Sequence, residues 1–332
     1  MEIIQALDLH ANPFGFLCFC LGIDILVGDP AYAVHPVRVI GRSLSWVEVR
    51  LRAVNLDGRL GGFLLFLILV VLLGGGAMAI WKILSLVNPW LGLFWEVYLT
   101  YSFLALGDLV EHGRRIARVT AKQDLAGARS ATAALVGRDT DRMDFAACNR
   151  SAVESVAESL VDGVISPLFW FALFGLPGIL IFKIASTMDS MVGYKHEPYL
   201  GFGWFGARLD DAMNWIPARV TWLLMVLCAS VLPGFSARRA WSTARLQHAL
   251  LPGPNKGWSE TAAAGALSIR LAGPIYKQGK QVNDLWIGSA GDREGGTADD
   301  VNRMIIIAYG TTVLFMGLVW ILDCQGWMFW QL

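Results

Sequence analysis

The sequence predicts an all-α, polytopic membrane helical bundle with five to six transmembrane or re-entrant helices and helical cytoplasmic loops. Three observations carry this. Hydrophobic residues make up 55% of the chain against 16% charged, mean hydropathy is +0.51, and several apolar runs approach the roughly 20 residues a helix needs to cross a hydrocarbon core. No internal repeat or low-complexity linker interrupts the chain, so one domain over residues 1–332 is expected.

In chain order, Ala11–Val27, Gly61–Trp81, Asn88–Leu106, Ile216–Pro233 and Met304–Leu322 read as spans. A sixth run, Val164–Phe182, contains Pro167, Gly175, Pro177 and Gly178, so it is either a broken, re-entrant helix or a full span. The first residues carry Glu2 and Asp8 and no basic cluster, which predicts a retained first span and not a cleaved signal. Between the spans lie polar regions, about residues 28–60, 107–163 and 234–303, and an insert over 183–215. Apolar spacing of three and four predicts helices over Gly107–Arg118 and Asp124–Val136, with Gly137 as the stop. Cys18, Cys20, Cys148, Cys228 and Cys324 have no paired spacing and read as small hydrophobes.

The formal net charge is zero, which argues against nucleic acid as a partner. The bases cluster after the first span (Arg38, Arg42, Arg50, Arg52, Arg59) and again from Arg114 to Arg150, whereas Lys82 stands alone between the second and third spans. By the positive-inside rule both basic loops are cytoplasmic.

Four groups of polar residues could carry chemistry. Asp29, His35 and Arg38 stand where the first span ends; a turn with an interfacial anchor is the simpler alternative. Glu154, Glu158 and Asp162 recur every four residues and so line one helix face just before an apolar run, where unpaired carboxylates are costly. A row of hard oxygen ligands suits Mg²⁺; the alternative is a solvated acidic face. Thr187, Asp189, Ser190, Tyr194, Lys195, Arg208, Asp211 and Arg219 combine hydroxyls and both charges in a set suited to phosphate, although ion pairing explains part of it. Asn255, Trp258 and Glu260 open an Ala/Gly-rich helix, where Glu260 could simply complement the helix dipole. No phosphate-binding G-x-x-x-x-G-K-[ST], H-E-x-x-H or G-x-S-x-G motif is present.

At these positions the chain resembles the integral-membrane adenosylcobinamide(-phosphate) synthases of cobalamin biosynthesis, the CobD/CbiB family. The matching residues are Gly28-Asp29-Pro30 with His35-Pro36-Val37-Arg38, Gly137-Arg138-Asp139-Thr140, Glu154 to Glu158 with Asp162-Gly163, Thr187-Met188-Asp189-Ser190 with Tyr194, Arg208 to Asp211 with Arg219, and Pro254-Asn255 with Trp258 and Glu260. They keep the family's order across nearly the whole chain. Departures are few: His196 stands where Asn or a similar small polar residue is common, Gly253 where Ser is usual, Lys256 where Ala is usual, and Ile275 where the pattern favours Asn. The resemblance implies ATP- and Mg²⁺-dependent joining of adenosylcobyric acid, a corrinoid, to (R)-1-amino-2-propanol or its O-phosphate at the inner membrane. It adds Arg138 and Asp139 to the expected binding residues, with Asp189, Lys195, Glu158 and Asp162 as catalytic groups. Partners would be these substrates, the bilayer, and other late-step cobalamin enzymes or a second copy. The rival reading is a non-catalytic transporter or sensor for an anionic solute, for which stacked carboxylates have little use.

Overall fold

The computed structural model describes residues 12–28, 30, 32 and 34–326. Its helices are α1 (Pro13–Val27), α2 (Pro36–Ala53), α3 (Arg59–Leu69), α4 (Gly75–Val87), α5 (Pro89–Ser102), α6 (Leu106–Ala121), α7 (Leu125–Ala133), α8 (Phe145–Leu160), α9 (Ser166–Val192), α10 (Trp204–Met213), α11 (Trp215–Val231), α12 (Ala237–Gln247), α13 (Lys256–Leu267) and α14 (Ala298–Cys324). Their starts follow local chemistry. Proline opens α1, α2 and α5, where its missing N–H costs nothing. Asn12, Asn88, Asp124, Asp144 and Ser236 cap helices by accepting from backbone amides of the first turn.

The chain is a polytopic helical membrane protein. Four continuous stretches are long and apolar enough to cross a bilayer: Arg59–Val87, Pro89–Ala121, Phe145–Val192 and Ala298–Cys324. The pair α10 and α11 makes a fifth if counted as one broken span. The count therefore meets the lower end of the expectation, and three boundaries change. The run expected over Ala11–Val27 forms α1, whose 15 described residues fall short of a full crossing. The run expected over Asn88–Leu106 continues through α6. The run expected over Val164–Phe182 is part of a 48-residue stretch from α8 through a π-turn at Val161–Ile165 into α9, broken at Gly175, whose φ of 61° lies in the left-handed region.

Packing divides the chain into two compact units, one of residues Met1–Ala105, Ser166–Asn214 and Leu318–Leu332, the other of Leu106–Ile165 and Trp215–Gly317. In the first unit, α2 lies on α9, with Gly41 admitting the Met191 sulfur, and α3 lies on α10. Phe16 stacks on Phe171 at 5.1 Å, and the Trp170 indole donates to the Met213 carbonyl at 3.1 Å. A Cβ on Gly203 would sit 1.7 Å from the Val192 carbonyl oxygen, so only glycine lets the loop after α9 fold back on itself.

In the second unit α8 packs against α6, α7 and α13, and α11, α12 and α13 pack on one another. The cover over this core departs from an all-helical loop. Strands β1 (Ile269–Ala272), β2 (Ile275–Lys277), β3 (Lys280–Asn283), β4 (Trp286–Ile287) and β5 (Arg293–Glu294) form a three-stranded sheet of order β4-β1-β5 and a β2-β3 hairpin. Gly273, Gly279 and Gly288 turn the chain at positive φ, and strands of two to four residues are too short to show a period in sequence.

Gly265 fixes the helix that carries the site described below. A Cβ there would lie 2.4 Å from the Arg239 carbonyl oxygen, a backbone atom that no rotamer change can move. Gly265→Ala is expected to cost about 1–3 kcal/mol by overpacking. Gly75→Ala, which meets nothing within 4 Å, should be neutral or stabilise by up to about 1 kcal/mol. Thermal melting of the detergent-solubilised variants measures both; equal melting temperatures would contradict the α12–α13 contact.

Candidate active site

The second unit gathers the acidic row and its partners. Residues 154 and 158 lie a turn apart on α8, and Asp162 follows in the π-turn. Glu154 and Glu158 are met separately. The Arg138 Nη2 donates to Glu154 Oε2 and to the Ser151 hydroxyl, both at 2.7 Å. Glu154 Oε1 accepts the Ala272 backbone N–H at 2.8 Å. Ala272 holds a φ of 65°, an uncommon state for a residue with a Cβ, at the end of β1 where that N–H reaches Glu154. One turn on, Glu158 pairs with the Lys256 ammonium at 2.5 Å.

Lys256 and Glu260 stand one turn apart on α13. Asn255 at its N-cap is buried, and a Cβ on Gly257 would sit 1.9 Å from the His248 carbonyl oxygen, so glycine is what lets this helix start against α12's end. The Arg219 guanidinium donates to the Trp215 carbonyl at 2.7 Å and to Asn255 at 3.4 Å, and it lies 5.2 Å above the Trp258 ring. Trp258 is half-buried, stacked on His248 at 3.8 Å and against Trp222 at 4.6 Å. It supports α13 by packing.

The electrostatics follow from this placement. Burial pushes the Glu260 carboxyl well above its ordinary range, and the neighbouring Glu158 and Glu154 push it further; Lys256 and Arg138 offset only part. Burial alone would lower the Lys256 ammonium, but Glu158, Asp162 and Glu260 together overrule it and raise it. Four carboxylates thus face two cations. Both Glu154 oxygens are taken by Arg138 and Ala272, and no three His, Cys, Asp or Glu side chains among the described residues form a group able to hold a metal. The expected metal set Glu154, Glu158 and Asp162 thus forms no such group, and its first two members are paired with Arg138 and Lys256.

Asp139 serves the cover of the unit. Its Oδ2 accepts the Gly279 N–H at 2.7 Å, and its own N–H donates to the Tyr276 carbonyl at 2.9 Å.

The first unit carries the remaining expected residues. His35 is buried at the N-cap of α2 with its ring edge-on to Tyr32, while Arg38 is exposed on that helix. Thr187, Asp189 and Ser190 occupy the last turns of α9, where the Ser190 hydroxyl is spent on the Ser186 carbonyl at 2.9 Å. A Cβ on Gly193 would meet Asp189 Oδ1 at 2.1 Å, so the chain turns directly beside that carboxylate. Tyr194 and Lys195 are exposed in the following loop, and Arg208 approaches Asp211 at 3.9 Å along α10. Asp29 lies outside the described residues.

Sequence reasoning did not assign Lys256 to the site, although its departure from the family pattern marked it. Ser151 and Ala272 were invisible in sequence, because a hydroxyl on a helix and a backbone N–H carry no residue-type signal.

Residues 17–308 match the family described as CobD/Cbib protein. The chain is 37% identical over 306 residues to the cobalamin biosynthesis protein CbiB of Salmonella arizonae, covering 91% of this chain and 94% of that protein. It is 38% identical over 309 residues to the cobalamin biosynthesis protein CobD of Klebsiella pneumoniae, covering 91% and 95%. Against the CobD of a Sinorhizobium species it is 38% identical over 311 residues, covering 91% and 96%. No solved structure matches the chain.

Glu260 makes stability depend on pH with a definite sign. Its folded-state pKa is raised, so the folded protein binds the proton more tightly than the unfolded chain. Its contribution is fully present below the ordinary carboxylate value and is lost as pH rises toward the folded value, with a limiting slope of about 1.4 kcal/mol per pH unit. Glu260→Gln cannot ionise, so its melting temperature should gain on wild type steadily between about pH 5 and 8. Parallel melting curves across that interval would show that Glu260 is not a protonated buried acid.

Proposed function

The chain belongs to the CobD/CbiB family and takes part in cobalamin biosynthesis, and on that premise we propose that it joins adenosylcobyric acid to (R)-1-amino-2-propanol or its O-phosphate, using ATP. The observation that carries this reading is the Glu158 cluster, in which a carboxyl kept protonated by burial sits beside two fixed cations and a surplus of carboxylates.

A carboxylate and an amine do not condense unaided in water. The corrinoid carboxylate first takes the γ-phosphoryl group of ATP, releasing ADP and forming an acyl phosphate; the free amine then attacks that carbonyl and phosphate leaves. The attacking amine must shed a proton. An ionised carboxylate of the acidic row accepts it, and Glu260, whose carboxyl burial holds in the protonated form, is assigned as a neutral hydrogen-bond donor beside that row. Lys256 and Arg138 place fixed positive charge where phosphoryl oxygens gain negative charge.

The donor set bears on Mg²⁺. A cage built from all three row carboxylates is disfavoured, because each Glu154 oxygen already accepts a hydrogen bond, one of them from the Arg138 cation. One or two carboxylates, Glu158 and Asp162, do fit an ion that keeps waters and takes the rest of its shell from phosphates. When bound, it would neutralise phosphate charge. In the first unit, Thr187, Ser190, Lys195 and Arg208 are assigned as phosphate contacts, with Asp189 as an acid acting beside Lys195. The two basic loops support a site at the cytoplasmic face of the inner membrane.

Purified protein should release ADP from Mg·ATP only when both adenosylcobyric acid and the amine are present, with one amide formed per ADP. Glu158→Gln and Asp162→Asn should each lower turnover about a hundredfold or more with melting temperature little changed. ADP release without the corrinoid, or near-normal turnover in both variants, would overturn the assignment.

A further inference from the structure

The second unit also holds a cavity of about 210 Å³ whose polar lining is Asp139, Arg142, Asp144, Arg150 and Tyr276. Arg150 is 9% exposed. One of its terminal nitrogens donates to the Gly295 carbonyl at 3.1 Å, and its guanidinium lies 5.1 Å above the Trp286 ring. Its Nε–H is buried and meets no acceptor among the described residues. A buried charged donor left unmet is costly, and such groups in native proteins call for an explanation. Arg142 is exposed, with its guanidinium 5.3 Å above the Tyr276 ring.

The two carboxylates of the lining are each fixed by backbone: Asp139 by the Gly279 N–H and Asp144 by the Ala147 N–H, both at 2.7 Å. Two guanidinium forks answer a doubly charged anion better than a single carboxylate, and the two aspartates leave a place for a cation on the same ligand. So small a space between paired opposite charges suits a short zwitterion. A nucleoside triphosphate is too large, and the aspartates would repel its chain of phosphates.

Position adds to charge. Ala147, Arg150, Glu154 and Glu158 recur at three- and four-residue intervals on α8, so the cavity and the acidic row occupy one helix face. Arg150 and Glu154 stand one turn apart, with Cβ atoms about 6 Å from each other.

We propose that this cavity is the subsite for the amine substrate, where Arg142 and Arg150 hold the phosphate of an amino-alcohol phosphate monoester and an aspartate of the lining meets its ammonium. The ligand's identity rests on the amide-forming reading; the site's charge and shape do not.

The test is calorimetric titration of the purified full-length protein, without ATP, with O-phosphoethanolamine, with (R)-1-amino-2-propanol O-phosphate and with free 1-amino-2-propanol. Both phosphorylated amines should bind at least about tenfold tighter than the free amine. Arg142→Ala, a change at an exposed side chain, should lower that affinity about tenfold while leaving the melting temperature and Mg·ATP binding unchanged. Equal affinity for free and phosphorylated amines, unchanged binding in Arg142→Ala, or displacement of O-phosphoethanolamine by ATP would overturn the inference. Turnover separates the two readings: tight, Arg142-dependent binding with no amide from any corrinoid acid sinks the ligase and keeps the subsite. Efficient amide formation from the free amine with no phosphate preference keeps the ligase and sinks the subsite.

Discussion

A carboxylate removed from water must find a cation or a donor, and α8 with the π-turn that follows it sets three of them directly before an apolar stretch. That single constraint organises the second unit. Arg138 reaches from the α7–α8 connection to Glu154, the end of β1 takes up a left-handed backbone to direct an N–H at the same side chain, and α13 begins with a lysine aimed at Glu158. Three separate chain segments thus end on one helix face. Exposed ion pairs contribute little to stability, but Arg138 and Glu154 are nearly buried, and removing either would strand the other's charge.

The same constraint explains why α13 is built as it is. It has to approach α8 closely enough for Lys256 to touch Glu158, and it is clamped from behind by α12. Gly257 and Gly265 make that possible by admitting backbone carbonyls at distances that exclude a Cβ, and the alanines between them keep the helix thin. With Glu260 then carried into the interior one turn beyond Lys256, burial disfavours its charged form and raises its carboxyl well above the ordinary range. A stability cost has been accepted at the point where a neutral hydrogen-bond donor is useful.

Much of this was legible in the sequence. The spacing of four along Glu154, Glu158 and Asp162 fixed a shared helix face, because that period belongs to the helix itself and survives any tertiary arrangement. The apolar runs gave the spans, although their ends moved where helices continued without a break, as at Pro89–Ala121. What could not be read was partnership. A row of acids is compatible with Mg²⁺, with solvent, or with cations brought from elsewhere, and only folding shows that Arg138 and Lys256 come to it from opposite directions in the chain. The sheet beneath Glu154 was equally hidden, since its strands are shorter than the window any periodicity needs.

The pairing of Glu154 with Arg138 and of Glu158 with Lys256 changes what the row can do. Three acids sharing one ion would form a closed site, tight and selective, in which the metal is a fixed part of the protein. Acids that already hold a guanidinium and a half-exposed ammonium form an open one: part of the charge is compensated, and part remains for a ligand that brings its own cation. On the proposed reading such a row would attract a metal only together with the phosphates that complete its shell, which would link metal and nucleotide affinities. The two cations differ in exposure: the Lys256 side chain is half-exposed, whereas Arg138 is held against Ser151 and Glu154. Arg138–Glu154 is therefore the pair whose breaking would strand a desolvated charge, and Lys256–Glu158 the one that solvent already screens.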